Sequence, residues 1–137
     1  MHKSLNISCS KTNLIRIREF VGDLLLSYNL GELEVHKIVL AVDEICANLI
    51  IHSNNCNPTQ SIQIGVDLNA LNELVFTIRD QGESFNPSSY AEPSLDEIVN
   101  ARRKGGVGLM LVKRIMDKIE FSTEKNYNIC RLTKKLN

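Results

Sequence analysis

The sequence predicts an α+β fold, a two-layer sandwich in which a mostly antiparallel sheet is covered on one face by helices. Three observations carry that reading. Period-two alternation of apolar and polar residues occurs at both ends and in the middle of the chain, three longer stretches repeat apolar residues at helical spacing, and paired strands are joined by short polar turns. With 137 residues, 43% of them apolar and 23% charged, the chain has the size and balance of one globular domain over residues 1–137, large enough to bury a sizeable core.

From the N-terminus, Lys3 to Cys9 alternate with Leu5, Ile7 and Cys9 on one side, a first strand with one buried face. Ser10, Thr12 or Asn13 caps the next helix, in which Leu14, Ile17, Val21, Leu24 and Leu25 recur at helical spacing as far as Tyr28, and Asn29-Leu30-Gly31 stops it. A second helix runs from about Glu32 to about His52, with Ile38, Val42, Ile45, Cys46 and Leu49 on its apolar stripe, before the turn-rich stretch 53–58. Ile62, Ile64, Val66 and Leu68 alternate, residues 69–72 turn, and Leu74, Phe76 and Ile78 resume the alternation, which makes two antiparallel strands.

The stretch from Asp80 to Gly106 is polar and rich in turn residues, with a short helix at Leu95–Val99. A segment of that length inside a compact domain reads as a functional loop, often a lid. Leu109, Leu111, Val112, Ile115 and Met116 then mark a helix from Val107 to about Asp117, and strands at Lys118–Thr123 and Ile129–Leu136 close the chain around the polar connection 124–128.

Composition removes several function classes. Sixteen basic residues balance sixteen acidic ones, which argues against a general nucleic-acid or polyanion binder. No apolar run reaches the length of a membrane span and the first residues lead into alternation rather than a signal-type block, so a cytoplasmic protein that does not act on membranes is expected. Cys9, Cys46, Cys56 and Cys130 lack metal-type spacing and read as free thiols, with Cys46 and Cys130 inside apolar patterns.

Chemistry gathers in three places. On the second helix Glu44, Asn48 and His52 fall four apart, aligning a carboxylate, an amide and an imidazole beside the apolar stripe. A strand ends in Asp80-Gln81-Gly82, where a half-buried carboxylate is suited to accept a hydrogen bond from the exocyclic amine of adenine. Gly105-Gly106-Val107-Gly108, preceded by Arg102, Arg103 and Lys104, opens an apolar helix; close backbone approach and free helix amides suit a phosphate there. Neither the Rossmann fingerprint nor the P-loop pattern is present. Taken singly, each feature is also met in an ordinary solvated helix face, turn or basic loop.

In this order the three places resemble the boxes of the GHKL ATP-binding superfamily of gyrase and histidine kinases. The stretches Ala41-Val42-Asp43-Glu44-Ile45-Cys46-Ala47-Asn48-Leu49-Ile50-Ile51-His52, Asp80 to Pro87 and Gly105 to Val112 are similar to the bacterial anti-sigma factor serine/threonine kinases, and the likeness extends to the closing hairpin. The resemblance implies a Bergerat-type ATP-binding fold, with Glu44 as general base and Asn48 as magnesium ligand. It implies Asp80 as the adenine-recognising acid and Gly82, Gly106 and Gly108 as nucleotide-loop glycines, with Phe85, Lys104, Gly105, Val107 and Leu109 around the same nucleotide. Ser84 departs from the pattern where a second glycine is usual, and Asn86 stands where Asp is common.

The expected function is therefore an ATP- and Mg2+-dependent serine/threonine kinase, an anti-sigma regulatory factor that phosphorylates a small anti-anti-sigma-like antagonist. The resemblance also implies a sigma factor as partner and a homodimer. The alternative is a nucleotide-binding module that sequesters a partner without kinase activity. A stand-alone histidine-kinase catalytic domain is a third reading, for which the usual helical phospho-acceptor segment finds no room in the sequence.

Overall fold

The structure is a computed structural model that describes residues 2–53, 57–81, 108–125 and 127–136. Strands β1 (His2–Ser8), β2 (Ser61–Leu68), β3 (Glu73–Asp80), β4 (Lys118–Glu124) and β5 (Tyr127–Lys135) form one sheet in the order β1-β2-β3-β5-β4. Every neighbouring pair is antiparallel. Helices α1 (Leu14–Leu26), α2 (Glu32–Asn48) and α3 (Gly108–Ile115) complete the described elements, after a 3-10 turn at Lys11–Asn13 that leads into α1.

The register lays the sheet's inner face out in rows. Leu5, Ile64, Ile78, Cys130 and Phe121 are successive partners across all five strands, and Val66, Phe76, Leu132 and Ile119 form the next row. Against these rows α1 buries Ile17, Val21 and Leu25, α2 buries Ile38, Ala41, Val42, Ile45 and Cys46, and α3 contributes Val112, all in one continuous cluster. Removing these apolar faces from water is the main favourable term in folding. The opposite face carries Ser4, Gln63, Thr77, Arg79 and Arg131 along an open polar groove, which is why period-two alternation was legible in the strands.

Local chemistry explains most boundaries. The α1 helix closes at Leu26, where the Ser27 and Tyr28 amides donate to the Leu24 and Leu25 carbonyls, and Asn29 takes a left-handed φ of 57°, a conformation Asn tolerates. Gly31 caps α2, and Glu32 and Glu34 sit in its first turn, where negative charge suits the helix dipole. Between β2 and β3 the Asn69 Oδ1 accepts from the Leu71 and Glu73 amides, both at 3.0 Å. At the far end of the sheet, Lys134 donates to the Ile115 carbonyl at 2.9 Å and pairs with Glu34 at 3.3 Å, tying α3, α2 and β5 together.

Two of the boundaries that differ from the sequence expectation bear on the site. The second helix keeps α geometry only to Asn48 and continues as a π-helical turn over Leu49–Ser53. Leu49-Ile50-Ile51 is a run of three apolar residues; the wider turn sets successive side chains closer in angle, and both Leu49 and Ile50 are buried. The final hairpin is tighter than the expected connection over 124–128, since Glu124 already pairs with Tyr127 and Lys125 adopts a φ of 55°. The expected short helix at Leu95–Val99 lies outside the described residues, as does Cys56.

Candidate active site

The alternation that builds β3 also places its acid. Leu74, Phe76, Ile78 and Asp80 occupy successive inward positions, so the step that buries three apolar side chains carries a carboxylate into the same layer, where Asp80 is only 1% exposed. Its row in the sheet runs Ile7, Ile62, Asp80, Asn128, Thr123 from β1 to β4. That row is apolar on the β1–β2 side and polar from β3 outward. The change of character marks a site rather than a continuation of the core.

At the polar end lies a cavity of about 170 Å³. Ile45 and Leu49 wall it from α2 and the π turn; Ile78 and Asp80 from β3; Phe121, Ser122 and Thr123 from β4; Asn128, Ile129 and Cys130 from β5. Mostly apolar walls with a few convergent polar groups are the usual make-up of a small-molecule site. Glu44 and Asn48 immediately precede Ile45 and Leu49 and are half-buried, so the catalytic stripe expected on α2 borders the wall that α2 gives the cavity. The π turn begins directly after Asn48, which ends the four-residue repeat that would carry the stripe on to position 52. Such turns recur at functional sites.

Electrostatics around Glu44 suit a proton acceptor. Its carboxyl is held above the ordinary carboxylate value, first by burial and then by the charge of Asp43. Asp43 in turn receives Arg18 of α1, with Nε donating to Oδ1 at 2.8 Å and Nη2 to Oδ2 at 3.4 Å. That pair raises the Arg18 value and anchors α1 beside Glu44. The buried thiols are not nucleophiles at neutral pH: burial and then the Asp80 charge push Cys130 up to about 12, and burial above all, then Asp43, Cys130 and Cys9, raise Cys46 well beyond a normal thiol. Among the described residues Cys9, Cys46 and Cys130 are buried thiols that form no disulfide, as the spacing implied.

Gly108 and Leu109 open α3, whose first amides have no partner within the helix. The helix packs on α2, so its N-terminal turn belongs to the same layer as Glu44 and Asn48. Gly82, Phe85, Lys104, Gly105, Gly106 and Val107 lie outside the described residues. Among the described residues no group of three or more His, Cys, Asp or Glu could hold a metal. Asn128, which lines the cavity from β5, is not legible in the sequence because residues 124–128 read as a turn.

A sheet of this order with helices on one face, and an acid-bearing cavity between α2 and the sheet's edge, is the arrangement of a small-molecule-binding α+β domain. The chain belongs to the histidine kinase-like ATPase domain family, whose sequence model matches residues 7–134. Among individual proteins it is similar to serine-protein kinase RsbW of Halalkalibacterium halodurans, 30% identical over 96 residues that make up 66% of this chain and 57% of that protein. RsbW of Oceanobacillus iheyensis is 28% identical over 94 residues, 66% of this chain and 59% of that protein, and RsbW of Bacillus licheniformis is 29% identical over 118 residues, 82% and 70%. The chain thus spans less than three fifths of the length of the first two relatives.

Solved structures agree on the fold. The RsbU and RsbW domains of Rv1364c from Mycobacterium tuberculosis superpose with a TM-score of 0.67 at 10% identity, over 98% of this chain and 32% of that one. The histidine kinase domain of a blue-light activated histidine kinase from Erythrobacter litoralis gives 0.56 at 16% identity, over 75% and 45%. Among the described residues no helix is long and apolar enough to cross a membrane.

Proposed function

We propose that this chain binds ATP in the cavity beside Asp80 and transfers the γ-phosphoryl group to a serine or threonine of a small partner protein, acting as an anti-sigma regulatory kinase in the cytoplasm. The observation that carries the reading is the cavity itself. It brings the buried Asp80 carboxylate against the residues that follow Glu44 and Asn48, two segments more than thirty residues apart in the chain. The resemblance of the three motifs to anti-sigma kinases and the names of the three relatives point the same way.

In this reading Asp80 accepts a hydrogen bond from the adenine amine while Ile45, Leu49 and Phe121 pack on the ring. Gly82, Phe85 and the segment from Lys104 through Gly105, Gly106, Val107 and Gly108 to Leu109 follow the phosphates, with the opening amides of α3 aimed at anionic oxygen. Asn48 would hold Mg2+, which supplies charge neutralisation on the phosphates when bound. The partner's hydroxyl oxygen bonds to the γ-phosphorus, the bond from that phosphorus to the β–γ bridging oxygen breaks to release ADP, and Glu44 takes the hydroxyl proton. A carboxylate held above its usual value is better matched to that proton transfer than an ordinary one.

The partners implied are an anti-anti-sigma-like substrate and a sigma factor, with the kinase as a homodimer whose mass light scattering would report. Incubation with γ-labelled ATP and candidate antagonists tests transfer. Acid-stable label on serine or threonine of the partner is expected. Binding of ATP without any transfer would favour the sequestering module instead, and acid-labile label would favour a histidine kinase.

A further inference from the structure

Helix α3 has eight residues, too few to stay helical in water unaided, so the contacts that hold it decide how well its first amides are aligned. Its far end is tied down. Lys134, on the same side of β5 as the buried Leu132, donates from Nζ to the Ile115 carbonyl at 2.9 Å and lies 3.3 Å from Oε1 of Glu34 in the first turn of α2. The cation satisfies one of the orphan carbonyls at the C-terminus of α3 and sits where positive charge favours the helix dipole. The chain on either side is fastened at the same spot. The Asp117 amide donates to the Thr133 carbonyl at 2.9 Å, and the Lys135 amide donates to Asp117 Oδ2 at 2.7 Å.

This anchor sets direction as well as position. The helix packs along α2 with its last residue held at the start of that helix, and it is about 12 Å long, so it begins toward the end of α2 that bears Glu44. The cavity beside Asp80 is built without it: among the described residues, none that lines the cavity belongs to α3. Base and phosphates would therefore rest on separate supports. From this division we infer that Glu34 and Lys134 are positioning residues that act through α3, setting the affinity for the phosphates of a nucleotide and leaving that for its base untouched. The inference rests on the nucleotide reading of the site and places its control at the end of α3 remote from the phosphates. Without the anchor α3 is helical for a smaller fraction of the time, and the apparent affinity of a ligand that needs the helix falls by that fraction.

Titration of the full chain with ATP and with adenosine, followed by NMR shift changes, tests it. Lys134→Met keeps the aliphatic stem and removes donor and charge. It should bind ATP about tenfold more weakly, with adenosine within about twofold of the unmodified protein. Lys134→Arg restores donor and charge and should recover most of the lost ATP affinity. Glu34 is only partly buried, so Glu34→Gln leaves the fold standing; it should weaken ATP about threefold and again spare adenosine. An unchanged ratio of ATP to adenosine affinity in either Lys134→Met or Glu34→Gln overturns the inference. Equal loss of both ligands overturns it too, since that is the result of a general loosening of the fold. If the unmodified protein binds both ligands and only the variants fail to separate them, the nucleotide reading stands and this inference alone falls; binding of neither ligand removes both.

Discussion

Asp80 faces two different neighbours in the sheet, Ile62 on β2 and Asn128 on β5. The carboxylate therefore marks the line along which the inner face of the sheet changes from core to cavity. Converting it to the near-isosteric amide keeps the volume and removes the charge. Asp80→Asn should weaken ATP about 10- to 100-fold, the cost of a charge-assisted hydrogen bond, while the far-ultraviolet circular dichroism stays unchanged. It should also lower the Cys130 titration from about 12, since the Asp80 charge helps hold it there. Thiolate absorbance against pH reads that second effect, and an unmoved Cys130 would separate the two groups.

Glu44 separates binding from chemistry. Glu44→Gln should leave the ATP dissociation constant nearly intact and reduce phosphorylation of the partner by about a hundredfold to ten-thousandfold. Equal phosphorylation by both proteins would remove Glu44 as the base.

The pH profile carries a signed test of the Arg18–Asp43 pair. Glu44 works as a base only when deprotonated, and its value is raised, so the acid limb of kcat against pH should lie above that of an ordinary carboxylate. Asp43→Asn removes a charge that raises Glu44, and the limb should move to lower pH. Arg18→Gln removes the cation that offsets Asp43, and the limb should move to higher pH. Because folding raises the Glu44 value, the native state binds its proton more tightly than the unfolded chain. The associated stability is full below the unfolded carboxylate value and is lost as pH rises through the folded one. Glu44→Gln should consequently raise the melting temperature at neutral pH, with the gain shrinking on acidification.

The core should respond by location. Phe76 lies fully buried in the middle of β3, and Phe76→Ala should cost about 3–5 kcal/mol in urea denaturation. Leu33 is 69% exposed on α2, and Leu33→Ala should change stability by less than about 0.5 kcal/mol.

Elements with one buried face were legible because burial imposes a period. Ile38, Val42, Ile45, Cys46 and Leu49 announced α2, and Leu74, Phe76 and Ile78 announced β3. Asp80 and Glu44 were legible as strand-end and helix-stripe acids. Asn128 was not, because Glu124-Lys125-Asn126-Tyr127-Asn128 has the composition of a turn, and only long-range pairing of β5 with β3 draws Asn128 into the sheet opposite Asp80. The π turn after Asn48 escaped for a related reason. Its three consecutive apolar residues fit either helical geometry, and the demand for burial at both Leu49 and Ile50 comes from the packed core.

The central claim, that the cavity between α2 and the β3–β5–β4 edge receives the purine, is tested most directly by a crystal structure with a non-hydrolysable ATP analogue and magnesium. The account predicts the base between Ile45 and Phe121, with its exocyclic amine about 2.7–3.2 Å from a carboxylate oxygen of Asp80. A nucleotide bound elsewhere on the chain, with this cavity left unfilled, would contradict it.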